Sequence, residues 1–386
     1  MVRCITLQSF ESVLSSDRAF CGSQLGDFAL VGLLGCDAVC LLGAGFGGAI
    51  PAIMTANPDA RVVAVDNDPQ LSVAGKAIQR SYFPAHAFEA VCADAFEHLA
   101  AAPSKSFDAL CVDLFTENGY AELYYDDRFW DQVARVLASD GVVMVNTWGL
   151  PSHLKPFDGP TPHVAVGQGL AMRFGDVRIL GHLRNQTLLA GPGLSRIDLA
   201  NSVEWPYRHD SLAATALISK YRTSTPFTVD HLPAFKRPGD RPADFAQLAA
   251  LYDQRLIYFA DDLQSRVGID ANPDEPSRAY LRRVLVSPHA PEWLESLLRS
   301  ADPETAAFVP SYFCSYSAVG DTAMAWFPDW LVARYHWLAA EHADWLWRYA
   351  LWHVAAVASN PLRSVKDDWL DRLTDVMADV VVSGSA

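Results

Sequence analysis

The sequence predicts an α/β fold in its first half, a mostly parallel sheet covered by helices, and a mostly α-helical second half. Three observations predict it. From Ala38 onward, short apolar runs alternate with helix-length stretches, the pattern of parallel strands joined by helical crossovers. Four glycines stand directly after the first of these runs, in Cys40-Leu-Leu-Gly43-Ala-Gly45-Phe-Gly47-Gly48. Beyond residue 243, apolar residues recur at three and four spacing instead.

The elements follow in order. Strands are expected at 38–42, 61–65, 89–92, 109–112 and 141–146, with helices at 47–56, 69–82, 95–101 and 127–138. A loop with Pro, Gly and His comes next, then a helix over 163–174. The runs 177–183 and 187–190, separated by Arg184, Asn185 and Gln186, read as an antiparallel hairpin. Residues 192–242, rich in Pro, Ser, Thr and Arg, read as a loop-rich connection. Helices are then expected over 243–267, 276–300, 329–358 and 364–382, the third carrying a concentration of tryptophans. The organisation is therefore an N-terminal extension (1–37), an α/β domain (38–191), a connection (192–242) and a helical domain (243–386).

Bulk properties narrow the function classes. A net charge of −15 with no Lys/Arg cluster argues against nucleic acid as a partner. The apolar stretch 330–358 is broken by Arg334, His336, Glu341, Asp344 and Arg348, which argues against a membrane span there. The start of the chain lacks the apolar core of a signal peptide, so a cytoplasmic location is expected. Seven cysteines, without CxxC pairs, read as small core hydrophobes. No histidine shows metal-ligand spacing, and no metal is expected. The tryptophan stripe reads as core or interface.

Chemistry concentrates at the strand tips. Gly43, Ala44, Gly45 and Gly47 form a loop whose backbone turns sharply and lets a ligand approach closely. Gly43, Gly45 and Gly48 also satisfy GxGxxG, so a nicotinamide-dependent oxidoreductase is one alternative. The second strand ends in Val65-Asp66-Asn67-Asp68-Pro69, where an acidic tip can accept ribose hydroxyls. The third ends in Cys92-Ala93-Asp94-Ala95-Phe96, and the fourth in Phe107-Asp108-Ala109-Leu110-Cys111-Val112-Asp113. Asp66 and Asp94 also suit helix N-caps, and either role is compatible with the other. Trp148 and His153 follow the fifth strand at the same edge.

In this order of motifs, LLGAGFGG, VDNDP, CADAFEHL, FDALCVDLF, GVVMVNTWG and NQTLLAG, residues 38–191 resemble the class I S-adenosylmethionine-dependent transferases, most of all their spermidine synthase-like branch. The resemblance implies a Rossmann-like, seven-stranded methyltransferase sheet with S-adenosylmethionine as cofactor. It places Gly43, Ala44, Gly45 and Gly47 along the methionine portion, Asp66 and Asn67 at the ribose, and Asp94 and Ala95 at the adenine. It makes Asp113 the catalytic residue that orients or deprotonates an acceptor, helped by Tyr120, with Leu114, Tyr124 and Trp148 on the substrate.

Thr116 stands where aminopropyltransferases carry a second aspartate, and only about 37 residues precede the first strand, leaving essentially no room for their N-terminal hairpin domain. Methyl transfer to a small nucleophilic metabolite is therefore the leading expectation. Aminopropyl or aminocarboxypropyl transfer is the alternative within the family. A vestigial domain serving a non-catalytic interaction protein is the alternative outside it. The C-terminal helices are expected either to cover the sheet edge or to pair two copies as a homodimer.

Overall fold

The computed structural model describes residues 2–5, 10–14, 24–82, 84, 88–116, 119–148, 162–180, 185–196, 221, 224–227, 283–300, 306, 326–346, 350, 372–373 and 375–376. The chain divides into two compact units, Met1–Leu150 with Pro156–Asp244, and Pro151–Lys155 with Phe245–Ala386.

The first unit opens with an antiparallel pair, β1 (Val2–Ile5) and β2 (Phe10–Leu14), in residues for which no element was expected. A 3-10 turn (Gln24–Phe28) leads into α1 (Ala29–Leu33). The main sheet holds β3 (Ala38–Leu42), β4 (Arg61–Asp66), β5 (Phe88–Cys92), β6 (Phe107–Val112), β9 (Leu137–Trp148), β10 (Val177–Leu180), β11 (Asn185–Ala190) and β12 (Thr225–Pro226). A second hairpin, β7 (Phe115–Thr116) with β8 (Gly119–Tyr120), stands apart from it. The order across the main sheet is β12-β10-β11-β9-β6-β3-β4-β5.

Strands β5, β4, β3, β6 and β9 run parallel, while β11 inserts antiparallel between β9 and β10. The seven expected strands are all present, and the two-residue β12 adds an eighth at the edge of β10. The fifth expected strand is longer than its apolar run. It starts at Leu137 rather than Gly141, and α5 (Asp127–Val136) ends correspondingly sooner.

Between the strands lie α2 (Ile50–Ala56), α3 (Pro69–Tyr82), α4 (Ala95–Ala101), α5 and α6 (Pro162–Phe174). The path from β3 through β4 to β5 moves one way across the sheet, and the path through β6 to β9 moves the other. Right-handed crossovers therefore put α2 and α3 on one face and α4 and α5 on the opposite face. Consistent with this, α1 packs on α2, while α4, α5 and α6 pack in series. The central strands are buried on both faces, which is why Val39–Leu42, Ala109–Val112 and Val142–Val145 are near-continuous apolar runs.

Local chemistry fixes several joints. Asp108 Oδ2 accepts the backbone N–H groups of Asp37 (3.1 Å) and Ala38 (2.9 Å), tying the start of β6 to the start of β3. The guanidinium of Arg135 donates to the carbonyls of Leu99 (2.6 Å) and Ala102 (2.8 Å), satisfying the open end of α4. Gly169 lets α6 lie against Trp130, since a Cβ there would meet the indole Cδ1 at 2.5 Å.

In the second unit, α7 (Ala290–Arg299) buries Trp293, Leu294, Leu297 and Leu298. The following helix, α8 (Trp326–Glu341), buries Phe327, Trp330, Leu331, Tyr335 and Leu338, and it packs on α7. Glu295 joins them, accepting from Trp330 Nε1 (3.2 Å) and pairing with Arg334 (2.8 Å). Trp330 and Trp345 are buried and belong to the core, whereas Trp326 and Trp337 are half-buried. The helices expected over 243–267 and most of 364–382 lie outside the described residues.

Candidate active site

The strand order reverses between β3 and β6, because β4 and β5 lie to one side and β9 and β11 to the other. Open α/β sheets bind ligands at such a point, outside the carboxyl ends of the strands. Here those ends are Gly43 and Asp113. They touch: the Asp113 N–H donates to the Leu42 carbonyl (2.9 Å), and a Cβ on Gly43 would lie 2.2 Å from the Asp113 carbonyl oxygen. Gly43 also has φ +79°, a left-handed conformation that glycine adopts without strain. The glycine expected for close approach of a ligand is required here by the neighbouring strand.

The loop is held on its other side by β4. The N–H groups of Gly43 (2.9 Å) and Ala44 (3.1 Å) donate to the Val65 carbonyl. Asp66 then grips the loop through its side chain, with Oδ2 accepting from Gly45 N–H (2.8 Å) and Oδ1 from Asp68 N–H (2.9 Å). Each carboxylate oxygen accepts more than one hydrogen bond, so two outward hydroxyls fit the remaining lone pairs. Helix capping falls to Asp68, which accepts from Gln70 N–H at 2.7 Å. Behind the loop, Gln79 of α3 donates to the Gly47 carbonyl (2.8 Å). Asn67 is exposed beside Asp66.

Asp94 is the N-cap of α4, its Oδ1 accepting from Phe96 (2.9 Å) and Glu97 (3.1 Å). The bland expectation for this residue is realised. Its exposed side chain retains Oδ2, and buried Ala95 follows. The Ala93 N–H donates to the Asp66 carbonyl (3.0 Å), so the β4 and β5 tips form one rim.

Asp113 is 6% exposed, and its Oδ1 accepts from Asn146 Nδ2 at 2.8 Å. Asn146 ends the apolar run of β9 and was not among the expected site residues. Its signal in the sequence is an amide closing Gly-Val-Val-Met-Val. On β11, directly opposite Asn146, Thr187 donates its hydroxyl to Asp27 Oδ2. Both Thr187 and Asp27 are fully buried.

Tyr124 does not have the substrate-facing place expected of it. The ring is fully buried; its hydroxyl accepts from Leu114 N–H (3.1 Å) and donates to the Asn146 carbonyl (3.2 Å). Tyr124 is thus a brace between the ends of β6 and β9. Burial, reinforced by the nearby Asp113 charge, holds its phenol well above the ordinary range, so it stays protonated. Leu114 is half-buried between these groups. Tyr120 pairs through its backbone with Phe115, and Trp148 pairs with Asn185. The side chains of Tyr120 and Trp148 lie outside the described residues, as does His153.

The cysteines divide. Cys36, Cys40 and Cys111 are buried, and burial pushes the Cys40 thiol up to about 12, which removes it as a nucleophile. Cys92 is exposed, against the expectation of a core position. No group of three potential metal ligands occurs among the described residues, and no described helix is long and apolar enough to cross a membrane.

Residues 41–145 match the family model of a methyltransferase domain. Over that stretch the chain is similar to a methyltransferase domain. The match spans β3 to β9, including Gly43, Asp66, Asp94 and Asp113. No curated protein matches the chain. Solved structures similar to it include a spermidine synthase in complex with the transition-state analogue AdoDATO, at 13% identity and TM-score 0.38, covering 48% of this chain and 65% of that one. Another is an S-adenosylmethionine-dependent methyltransferase from Aquifex aeolicus, at 15% and 0.30, covering 40% and 80%. A third is the O-methyltransferase TomG from Streptomyces achromogenes, solved with S-adenosylmethionine, at 20% and 0.34, covering 44% and 79%. The chain thus spans 65% of the first of these by length.

Proposed function

We propose that this chain transfers a methyl group from S-adenosylmethionine to a small nucleophilic acceptor, with Asp113 at the reacting centre. The observation that carries the reading is the contact of Gly43 with Asp113 at the reversal of strand order. It puts a buried carboxylate directly beside the glycine loop that a methyltransferase domain uses for its donor.

The residues suit that donor. Two lone pairs of Asp66 remain for the ribose hydroxyls after the loop has taken two. Asp94 Oδ2 and Ala95 suit an adenine edge, and the left-handed turn through Gly45 and Gly47 suits the methionine portion. When bound, S-adenosylmethionine supplies a sulfonium methyl that is already a strong electrophile. The chain's part is to hold the acceptor in line and exclude water. Asp113, kept in place by Asn146, orients the acceptor and takes its proton.

Titration calorimetry with S-adenosylmethionine, S-adenosylhomocysteine, decarboxylated S-adenosylmethionine, methylthioadenosine and NAD tests this. Preference for the first two supports methyl transfer. Preference for the decarboxylated donor and methylthioadenosine moves the reading to aminopropyl transfer, and binding of NAD alone overturns it.

A further inference from the structure

We infer that Asn146 sets the chemical class of the acceptor, a primary amine, by standing beside Asp113 as a second hydrogen-bond acceptor. The inference rests on the methyl-transfer reading above.

A carboxylate has no hydrogen to give, so the end of the Asn146 amide that meets Asp113 is Nδ2, at 2.8 Å. This fixes Oδ1 on the other arm of the same planar group. Oδ1 is buried and accepts no hydrogen bond, on a residue only 4% exposed. Thr187 stands opposite but does not relieve it, because the single hydroxyl hydrogen of Thr187 goes to Asp27. Buried polar atoms are ordinarily satisfied, so an exception at a ligand edge calls for a donor from outside the chain.

Val112 and Val145 are register partners on parallel β6 and β9, so Asp113 and Asn146, one residue on, leave the same face of the sheet. A nucleophilic atom resting against both meets two acceptors. A neutral primary amine has two hydrogens to give them and one lone pair left for the methyl carbon. A hydroxyl or thiol has one hydrogen, and leaves Asn146 Oδ1 unsatisfied. In the step, the N–CH₃ bond forms as the S–CH₃ bond breaks. The electron pair of the broken bond stays on sulfur, giving S-adenosylhomocysteine, and one N–H proton of the alkylated nitrogen passes to Asp113. The secondary amine so formed has one hydrogen left, and the product is monomethylated.

The test uses the full chain and needs no identified acceptor. Two analogues of S-adenosylmethionine carry a tertiary nitrogen in place of sulfur and, in place of methyl, either a 2-aminoethyl or a 2-hydroxyethyl arm. Calorimetry is expected to show the amine arm binding about ten-fold tighter to wild type. In Asn146→Leu that advantage falls to about three-fold or less, while the affinity for S-adenosylhomocysteine is unchanged. Asn146→Ser serves the same purpose where the leucine variant does not fold. Failure of wild type to bind S-adenosylhomocysteine refutes the methyl-transfer reading, and this inference with it. Normal binding of S-adenosylhomocysteine, with equal affinity for both arms or an advantage that survives the substitutions, overturns the inference alone.

Discussion

At the scale of single residues, two of the three carboxylates proposed for the site are ones the backbone already uses. Asp66 closes the glycine loop and Asp94 caps α4, so each is set in place before any ligand arrives. Asp113 differs in being held by a side chain, Asn146. Asp113→Asn is expected to lower turnover about 10²- to 10⁴-fold, the usual contribution of a positioned base, with S-adenosylhomocysteine affinity unchanged by calorimetry. His98 gives a pH prediction. Partial burial lowers its pKa from 6.5, with Glu89 opposing, so the unfolded chain takes up the proton first. Its contribution to stability is intact above 6.5 and is lost as pH falls from there through the lower value of the folded chain. The melting temperature of wild type should therefore fall more steeply below that pH than that of His98→Gln. The three aspartates were legible because each ends an apolar run. Asn146 closes an apolar run in the same way, but its pairing with Asp113 and the bracing role of Tyr124 depend on partners remote in sequence.

At the scale of elements, the ends of β3, β6 and β9 are locked to one another. Gly43→Ala would press a methyl group onto the Asp113 carbonyl and strain a left-handed turn. It is expected to cost about 1–3 kcal/mol by chemical denaturation and to weaken S-adenosylhomocysteine binding as well. Tyr124→Phe removes two hydrogen bonds inside the sheet edge and leaves the Leu114 N–H and Asn146 carbonyl without that partner. A loss of about 1–3 kcal/mol is expected in the same measurement, with lower turnover because Asn146 is no longer braced. Apart from the short β7–β8 hairpin, which was not expected, the strands and helices from β3 to β11 follow the alternation of the sequence closely, since buried parallel strands are continuous apolar runs. The start of β9 escaped because Ala138, Ser139 and Asp140 carry no strand pattern of their own. The β1–β2 pair and the two-residue β12 are too short or irregular to stand out.

At the scale of the whole molecule, every residue assigned to donor or acceptor belongs to the first unit. A fragment of residues 1–244 is expected to bind S-adenosylhomocysteine within about three-fold of the full chain. A much larger loss would show that the second unit completes the site. The compact units part at Asp244–Phe245, and the residues of the helix expected over 243–267 lie outside the described residues. The strand reversal that creates the site was not legible from periodicity, because it depends on which strands become neighbours.

The contact between Gly43 and Asp113 also constrains how such a protein can diverge. The turn proposed for the donor and the residue proposed for the acceptor are one packing joint, so neither can drift in sequence or be re-engineered while the other stays put. The small β7–β8 hairpin immediately downstream, with Phe115 and Thr116 exposed, is not part of that joint.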